Sequence, residues 1–465
     1  MNAATLWIIL PFLFGIFLLF IHNPRILSVL GGSVAVALAL AAQFVPIDVA
    51  LTLGPYSLEI ESALTVLGRV LRIQPTEGSL LAVIYGAAAL WFFGAEASMR
   101  ATRIVPSGFM IIALMVASIA VEPFLYAALF IEMAVLLAVP MLTSLYRPPG
   151  RGIVRFLIYQ TLAMPFILAA GWLLTGVEAS PGDLALASQS AAMLGLGFAF
   201  LLAIFPLYSW IPMLLEETSP YSVGFLLWIL PTMTIIFGAG FLDRYSWLRA
   251  SEELTLALRY VGLLMVVTGG LFAAFQRHFG RIMAYGTIAE TGFSLLALSL
   301  DSRLGIPILF LLIPARALGL AVWALSLAII RENAESMRFR DGQGILRSLP
   351  LAGAGMIIAS LSTGAFPLLA GFPARLALWD GLSRVSLSAA LWMGIGIVGL
   401  LTSSFRSLAV ISMAEDYTSW GPRENILQMA MLALGIAGLF ILGLFPQVLQ
   451  VFLADLPLMF EQLGR

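Results

Sequence analysis

The sequence predicts an all-α membrane protein that crosses the bilayer many times, and three observations support this fold class. Of the 465 residues, 61% are hydrophobic and 11% are charged, whereas soluble domains carry roughly 25% charged residues. Apolar runs near the ~20 residues that cross a bilayer recur along the whole chain. Glycines are frequent within these runs, as in GAGMIIAS and GIGIVGL, which fits close packing between membrane helices.

Hydrophobic runs divide the single predicted transmembrane domain, residues 1–465, into about fourteen spans. The predicted spans are 3–21, 26–44, 79–94, 108–121, 124–145, 152–175, 187–215, 220–242, 256–276, 280–300, 304–330, 349–383, 386–411 and 426–453. No small-residue cleavage site follows the first run, so we expect a retained span and not a signal peptide. Between the second and third spans, LTLGPYSLEIESALTVLGRV predicts a short hairpin with an amphipathic surface segment.

The tripeptide FPL occurs twice, around Pro206 and around Pro367, in the two long spans that proline interrupts. These are the seventh and twelfth spans, so the two copies cross the bilayer in opposite directions. Two inverted five-helix repeats, approximately 108–242 and 256–411, would give this arrangement, and chance recurrence of a common tripeptide is the alternative. A proline break frees backbone groups near mid-membrane, which predicts a hydrated ion path or, alternatively, a simple packing kink.

Arginine placement predicts the orientation of the chain, because cytoplasmic loops carry an excess of positive charge. Lysine is absent, and all 24 basic residues other than histidine are arginine. With the N-terminus outside, the inner loops contain more arginines than the outer loops, among them Arg100, Arg147, Arg277, Arg281 and Arg338. We therefore expect both termini outside, in a protein integral to a bacterial inner membrane.

The residue inventory excludes several function classes. With no cysteine, the chain has no disulfide, thiolate metal site or cysteine nucleophile, and its two histidines, His22 and His278, fall in short loops. No phosphate loop, nucleophile elbow or dinucleotide fingerprint is present. We expect no catalytic residue, no metal and no cofactor bound by this chain, and the net charge of -1 gives no indication of a nucleic-acid partner.

Four ionisable residues fall deep in predicted spans: Glu132, Glu290, Arg316 and Arg375. A charge at mid-span costs about 2.5–3.5 kcal/mol on insertion scales, so these residues are candidates for a proton path. The alternatives are a protonated structural role for Glu132 and arginines that extend to the membrane interface. Glu216 lies at the inner end of the seventh span, where it is either a solvated charge or a site of proton uptake.

Three motifs and one position point to a known family. The motifs are GFAFLLAIFPLYSWIP in the seventh span, RIMAYGTIAETG at 281–292, and STGAFPLLAGFPARLALW in the twelfth span, and the position is Glu132 in the fifth span. Together, and over essentially the whole chain, they resemble the antiporter-like membrane subunits of respiratory complex I. That family shares its fold with Mrp-type sodium/proton antiporters and membrane-bound hydrogenase subunits.

The resemblance implies a hydrated axis of alternating charges that carries protons, with the redox chemistry in a distant arm. In that family a fifth-span glutamate pairs with a seventh-span lysine, and further lysines continue the axis. Here Leu201 stands at the seventh-span lysine place and Thr232 at the eighth-span place, while Arg316 and Arg375 take the later places. Arginine stays protonated at any physiological pH, so no titratable ammonium remains on the axis.

Three functions stay open at this point. The chain is a membrane-arm subunit of a complex I-like NADH:quinone oxidoreductase with impaired pumping, a non-pumping scaffold subunit of such a complex, or a stand-alone cation/proton antiporter. The first two predict partners, namely the lipid bilayer and other membrane subunits of a complex I-like or hydrogenase-like complex. The third predicts transport by the purified chain alone.

Overall fold

The computed structural model describes residues 2–53, 56–66, 68–98, 103–143, 149–179, 184–413, 421–449 and 453–463. Arg100 and Arg147 of the orientation argument lie outside the described residues. Within these ranges the helices are α1 (Leu10–Leu18), α2 (Pro24–Phe44), α3 (Gly78–Gly94), α4 (Ile104–Ala120), α5 (Ala127–Leu142), α6 (Arg151–Ala179), α7 (Leu184–Leu201), α8 (Trp210–Glu217), α9 (Pro220–Arg244), α10 (Ser246–Arg249), α11 (Glu252–Phe275), α12 (Phe279–Leu298), α13 (Ser302–Asn333), α14 (Pro350–Thr363), α15 (Gly371–Val385), α16 (Leu387–Ser412) and α17 (Ile426–Leu444).

The predicted polytopic helical membrane fold is confirmed. Among the described residues, nine helices are long and apolar enough to cross a bilayer, and four shorter apolar helices accompany them. Several predicted spans are not single long helices. The first contains a π-helical segment, Thr5–Ile9, before α1, and the seventh and twelfth each consist of two helices joined by irregular backbone.

Two small antiparallel sheets fold from the amphipathic segment between α2 and α3. Strand β1 (Leu51–Leu53) pairs with β2 (Tyr56–Leu58). Strands β3 (Ala63–Val66) and β4 (Arg69–Arg72) form a hairpin that β5 (Val121–Glu122) extends. The hairpin predicted for this segment is therefore present.

The centre of the bundle is formed by α9 and α13. In the most apolar 18-residue stretch of each helix, 83% of α9 and 89% of α13 is buried, whereas 17% of the corresponding stretch of α17 is buried. Helix α13 packs against α9, α12, α14, α15 and α17. A polar side chain on the inner faces of α9, α12 or α13 therefore has protein neighbours instead of lipid.

Two backbone breaks interrupt the bundle, one between α7 and α8 and one between α14 and α15. The first contains Pro206 and the second contains Pro367. At the breaks, Ala203, Ala365 and Leu368 have positive φ values of 51°, 57° and 71°, which residues other than glycine rarely adopt. Such backbone interrupts the helical hydrogen bonds, although the carbonyls of Phe200 and Ser362 still accept from the backbone N–H groups of Ala203 and Ala365 at 3.2 and 3.1 Å.

Candidate functional site

The second break lies beside a buried ion pair between Glu290 on α12 and Arg375 on α15. Nη2 of Arg375 donates to Oε1 of Glu290, and the two side chains are 2% and 4% exposed for Arg375 and Glu290 respectively. The guanidinium also lies over the ring of Phe293, with 4.8 Å between Cζ and the ring centroid. A buried pair of this kind is costly to break, since removing one partner leaves an uncompensated charge.

Arg375 also closes the second break. Its Nη1 donates to the carbonyl oxygen of Ser362 at 3.1 Å, near the end of α14. The Ser362 hydroxyl accepts from the backbone N–H of Gly371 at 3.0 Å, which ties the start of α15 to the end of α14. A Cβ at Gly371 would clash with both Arg375 Nη1 and the Ser362 carbonyl, so glycine is required for this close approach.

Arg316 on α13 supplies the hydrogen bond that a proline removes from α9. Pro231 has no N–H to donate to the carbonyl four residues before it, which belongs to Leu227. Nη2 of Arg316 donates to this carbonyl oxygen at 2.8 Å and to the hydroxyl of Thr291 at 3.2 Å. Arg316 therefore lies beside the carbonyl that Pro231 leaves without its helical donor.

The charges of Arg316, Glu290 and Arg375 form one electrostatic unit, the charge cluster, since Glu290 and Arg375 are the charged neighbours that act on Arg316. With one carboxylate and two guanidinium groups, the cluster carries a formal excess of positive charge. Nε and Nη1 of Arg316 and the hydroxyl of Thr232 are buried without a hydrogen-bond partner among the described residues. These donors could hold ordered water, which typically bridges such groups.

The first break is closed by a neutral side chain. Nε2 of Gln160 on α6 donates to the carbonyl oxygens of Leu201 at 3.2 Å and Phe200 at 3.5 Å, at the end of α7. The side chain of Leu201 is itself buried in the apolar core. Gln160 was not among the residues predicted from the sequence, although an amide in the apolar run FLIYQTLAMPF was a usable signal because a buried amide must find partners.

Glu132 lies apart from the deeply buried groups. Its Oε1 accepts a hydrogen bond from the hydroxyl of Thr161 at 2.8 Å. Glu132 is half-buried and Thr161 is exposed, so the pair sits on an accessible face of α5 and α6. The partner of Glu132 is thus a hydroxyl on α6, and it does not come from the seventh span, where Leu201 stands.

Glu216 ends α8 at the surface, in an ion pair with Arg281. Its Oε2 accepts from Nε and Nη2 of Arg281 at 3.1 and 2.8 Å, and both side chains are partly exposed. The neighbouring His278 caps α12, since its Nδ1 accepts from the Arg281 backbone N–H at 3.3 Å. Burial lowers the pKa of His278, and the charges of Arg281, Arg331 and Arg338 lower it further against the opposing effect of Glu216. The five predicted site residues therefore occupy three places: the charge cluster, the Glu132 pair and this surface group.

Comparison with known proteins shows which proteins this chain is similar to. A family model described as NADH:quinone oxidoreductase/Mrp antiporter, transmembrane, matches residues 182–404, which include both breaks and the whole charge cluster. Residues 182–404 are therefore similar to an antiporter-like transmembrane domain. Among the described residues, no group of three or more histidine, aspartate or glutamate side chains that could hold a metal ion accompanies this domain.

Curated relatives of the antiporter-like domain are oxidoreductase subunits. The chain is 28% identical over 346 residues to NAD(P)H-quinone oxidoreductase chain 4 1 of Synechococcus sp. (strain JA-2-3B'a(2-13)), covering 67% of this chain and 64% of the relative. It is 29% identical over 313 residues to NADH-quinone oxidoreductase subunit 14 of Thermus thermophilus, covering 64% of this chain and 68% of the relative. The match thus spans less than two thirds of the cyanobacterial subunit.

Solved structures share the complete fold. A chain of respiratory complex I from Thermus thermophilus with bound NADH superposes with a TM-score of 0.77 at 20% identity, covering 99% of this chain and 100% of that chain. A chain of the archaeal membrane-bound sulfane sulfur reductase gives 0.81 at 18% identity, covering 98% and 97%. A chain of the Mrp complex from Dietzia sp. DQ12-45-1b gives 0.80 at 16% identity, covering 98% and 96%. At these identities the likeness establishes the fold and not the function.

Proposed function

We propose that this chain is a membrane-arm subunit of a complex I-like NADH:quinone oxidoreductase and that its own proton translocation is impaired. The proposal includes about fourteen crossings, two inverted five-helix repeats at 108–242 and 256–411, and both termini outside a bacterial inner membrane. The oxidoreductase relatives and the fold of a complex I chain support the assignment to such a complex.

We infer impaired proton translocation from the contrast between the charge cluster and the first break. At the second break, Glu290 is bound to Arg375 and lies within the field of Arg316. At the first break, Leu201 is buried and a neutral amide satisfies the backbone. The buried charged groups are therefore concentrated in the second proposed repeat, and the described residues of the first repeat place no cation within hydrogen-bond reach of Glu132.

The chemistry of arginine limits what the charge cluster can do. A buried lysine can lose its proton when neighbouring charges move, because burial brings its pKa towards neutrality. A guanidinium stays protonated, so Arg316 and Arg375 act as fixed charges that position Glu290 and close two backbone defects. Proton transfer through this region would then depend on Glu290 and on water held by the free donors of Arg316 and Thr232.

Two other functions compete with this proposal. A non-pumping scaffold subunit would have the same partners, in a complex I-like or hydrogenase-like assembly, with no ion transfer at all. A stand-alone cation/proton antiporter is favoured by the fold shared with a chain of the Mrp complex. Partner dependence separates the antiporter from both subunit functions, whereas proton stoichiometry separates the subunit functions from each other.

Partner dependence is tested by purifying the full chain with a tag from its native membrane in mild detergent. We expect other membrane subunits and quinone reductase activity with NADH to co-purify with it. The same chain purified alone and reconstituted into liposomes should show no sodium/proton or potassium/proton exchange. Exchange by the isolated chain, without co-purifying subunits, would contradict the assignment and support the antiporter.

A further inference from the structure

Two adjoining cavities lie between α7, α9, α11 and α12, beside the short helix α10. The inner cavity has a volume of about 250 Å³ and the outer one about 330 Å³. They share five lining residues, Leu242, Leu248, Leu254, Leu258 and Leu298. The two cavities are therefore contiguous, and we name them together the α9–α11 pocket.

The inner cavity is apolar and reaches from the end of α9 to the first break. Its lining includes Phe198, Leu202 and Ile204 on one side, and along α9 it runs from Thr234 to Leu242. The eight steps from Thr234 to Leu242 correspond to about 12 Å along a helix at 1.5 Å per residue. Half of the bilayer hydrocarbon core is about 15 Å, so the depth matches one leaflet.

This cavity is open space that a side chain could fill. Gly195 lines it, and a Cβ built at Gly195 meets no heavy atom within 4 Å. Gly195 is also exposed on the outer surface of α7. An apolar chain could therefore reach the inner cavity laterally from the bilayer.

The outer cavity carries the positive charge. Arg249 and Arg259 both line it, with Asp301 as the one acidic lining residue. Nη1 of Arg249 donates to the carbonyls of Leu242 and Asp243, and Nη2 of Arg259 donates to the carbonyl of Ser299. Nε of Arg259 is buried and has no hydrogen-bond partner among the described residues. The Asp301 carboxylate accepts from the Arg303 backbone N–H and so caps α13.

Aromatic residues indicate the membrane level of these arginines. Tyr260 follows Arg259 on α11 and is 67% exposed, and Trp247 lies two residues before Arg249. Tyrosine and tryptophan are enriched where the hydrocarbon meets the headgroups. Arg249 and Arg259 thus lie at headgroup depth, directly above an apolar cavity one leaflet deep.

We propose that the α9–α11 pocket binds one anionic phospholipid, with an acyl chain in the inner cavity and the phosphate between Arg249 and Arg259. The guanidinium fork is suited to phosphate oxygens, which accept paired hydrogen bonds from it. The acyl chain packs against Leu202 and Ile204 and seals the apolar side of the first break. A free anion accounts for the arginines alone, whereas the lipid accounts for both parts of the pocket.

The test is native mass spectrometry of the full chain, delipidated in detergent and titrated with phosphatidylglycerol, phosphatidylethanolamine or inorganic phosphate. We expect at least tenfold tighter binding of phosphatidylglycerol than of phosphatidylethanolamine, and a loss of this preference in the double variant Arg249→Gln/Arg259→Gln. The matched control is Arg303→Gln, an exposed arginine outside the pocket, and it should bind lipid as the wild type does. Gly195→Leu, with its fold checked by thermal melting, should weaken the binding of both lipids.

Three outcomes would overturn the lipid site. The first is equal binding of the two lipids by the wild-type chain. The second is an equal loss of phosphatidylglycerol binding in Arg303→Gln, which would show a general charge effect. The third is saturation of the site by inorganic phosphate at the same concentration as the lipid, which would show a free-anion site.

Discussion

The two broken helices present the same backbone problem, and different side chains solve it. Between α7 and α8, the amide of Gln160 donates to the carbonyls of Phe200 and Leu201. Between α14 and α15, the guanidinium of Arg375 donates to the carbonyl of Ser362 and also pairs with Glu290. The first solution adds no charge to the membrane interior, whereas the second adds a cation that requires a carboxylate.

This difference explains where the buried charge lies. A neutral donor satisfies a carbonyl at little electrostatic cost, so the first break can be packed with apolar residues such as Leu201. A guanidinium must be compensated, since an unpaired charge in a low-dielectric interior is strongly unfavourable. At the second break, the buried carboxylate of Glu290 accordingly lies beside the guanidinium of Arg375.

The largest expected effect comes from removing the cation at the second break. Arg375→Met leaves Glu290 buried without its partner and should lower the free energy of unfolding by about 3–5 kcal/mol, measured by denaturation in detergent micelles. The double variant Glu290→Gln/Arg375→Met should recover part of the loss. Arg384→Met on the same helix is the control, because Arg384 is 74% exposed and its pair with Asp380 is a surface pair. Equal losses in Arg375→Met and Arg384→Met would contradict the role of the buried pair.

A smaller effect is expected from adding a single methyl group beside each break. Gly371→Ala places a Cβ against Arg375 Nη1 and the Ser362 carbonyl, so it should cost about 1–3 kcal/mol of unfolding free energy. Gly195→Ala in α7 meets open space and should be neutral or stabilise by up to about 1 kcal/mol, since alanine favours helix over glycine. Both values follow from the same denaturation measurement, and a tolerated Gly371→Ala would show that Arg375 does not approach this backbone.

Removing the amide at the first break should lower the free energy of unfolding less than removing the cation at the second break. Gln160→Leu removes the donor to the Leu201 carbonyl, whereas the Phe200 carbonyl keeps the Ala203 N–H, and we expect a loss of about 1–2 kcal/mol. Thr161→Val, at the next position but on the accessible face, is the control and should change stability by less. A Gln160→Leu loss as large as that of Arg375→Met would remove the contrast between the two breaks.

The smallest effect concerns pH and the cap of α12. The folded chain holds His278 neutral, since burial lowers the pKa of this imidazole below its usual value near 6.5. As the pH falls, the unfolded chain therefore binds a proton at this imidazole before the folded chain does. The stability that the neutral His278 contributes is complete above the usual pKa, and it is lost as the pH falls through the lowered pKa of the folded state. We expect the wild type to lose more stability than His278→Asn between pH 7 and pH 5, because asparagine keeps a cap that does not titrate. If the melting temperatures of the two proteins change equally between pH 7 and pH 5, His278 makes no such contribution.

The sequence was sufficient to predict the membrane fold and to identify the buried charges. Arg316, Arg375 and Glu290 were found because few ionisable residues occur in apolar runs, and the cost of burying them singles them out. Their pairing could not be predicted, since 85 residues separate Glu290 from Arg375 and packing alone brings them together. The carbonyl that Arg316 binds could have been predicted, because Pro231 identifies the carbonyl of Leu227 as one that lacks its helical donor.

The predicted helix count shows a second limit of sequence patterns. Hydropathy treats α7 with α8, and α14 with α15, as continuous spans, since apolar composition does not report backbone breaks. The prolines at 206 and 367 marked both places. They did not indicate which donor would satisfy the freed carbonyls, and for that reason Gln160 was missed.

The central claim is that the route through the first break carries no protons, and one measurement tests it most directly. The variant Glu132→Gln should be placed in the intact complex, and protons moved per electron pair should be measured in sealed vesicles. Electron transfer and subunit assembly are measured alongside, so that a loss of the complex is not mistaken for a loss of pumping. We predict an unchanged ratio, because the partner of Glu132 among the described residues is the hydroxyl of Thr161, and Leu201 at the first break is apolar. A clear fall in the ratio, with electron transfer and assembly intact, would show that the path works without its lysines.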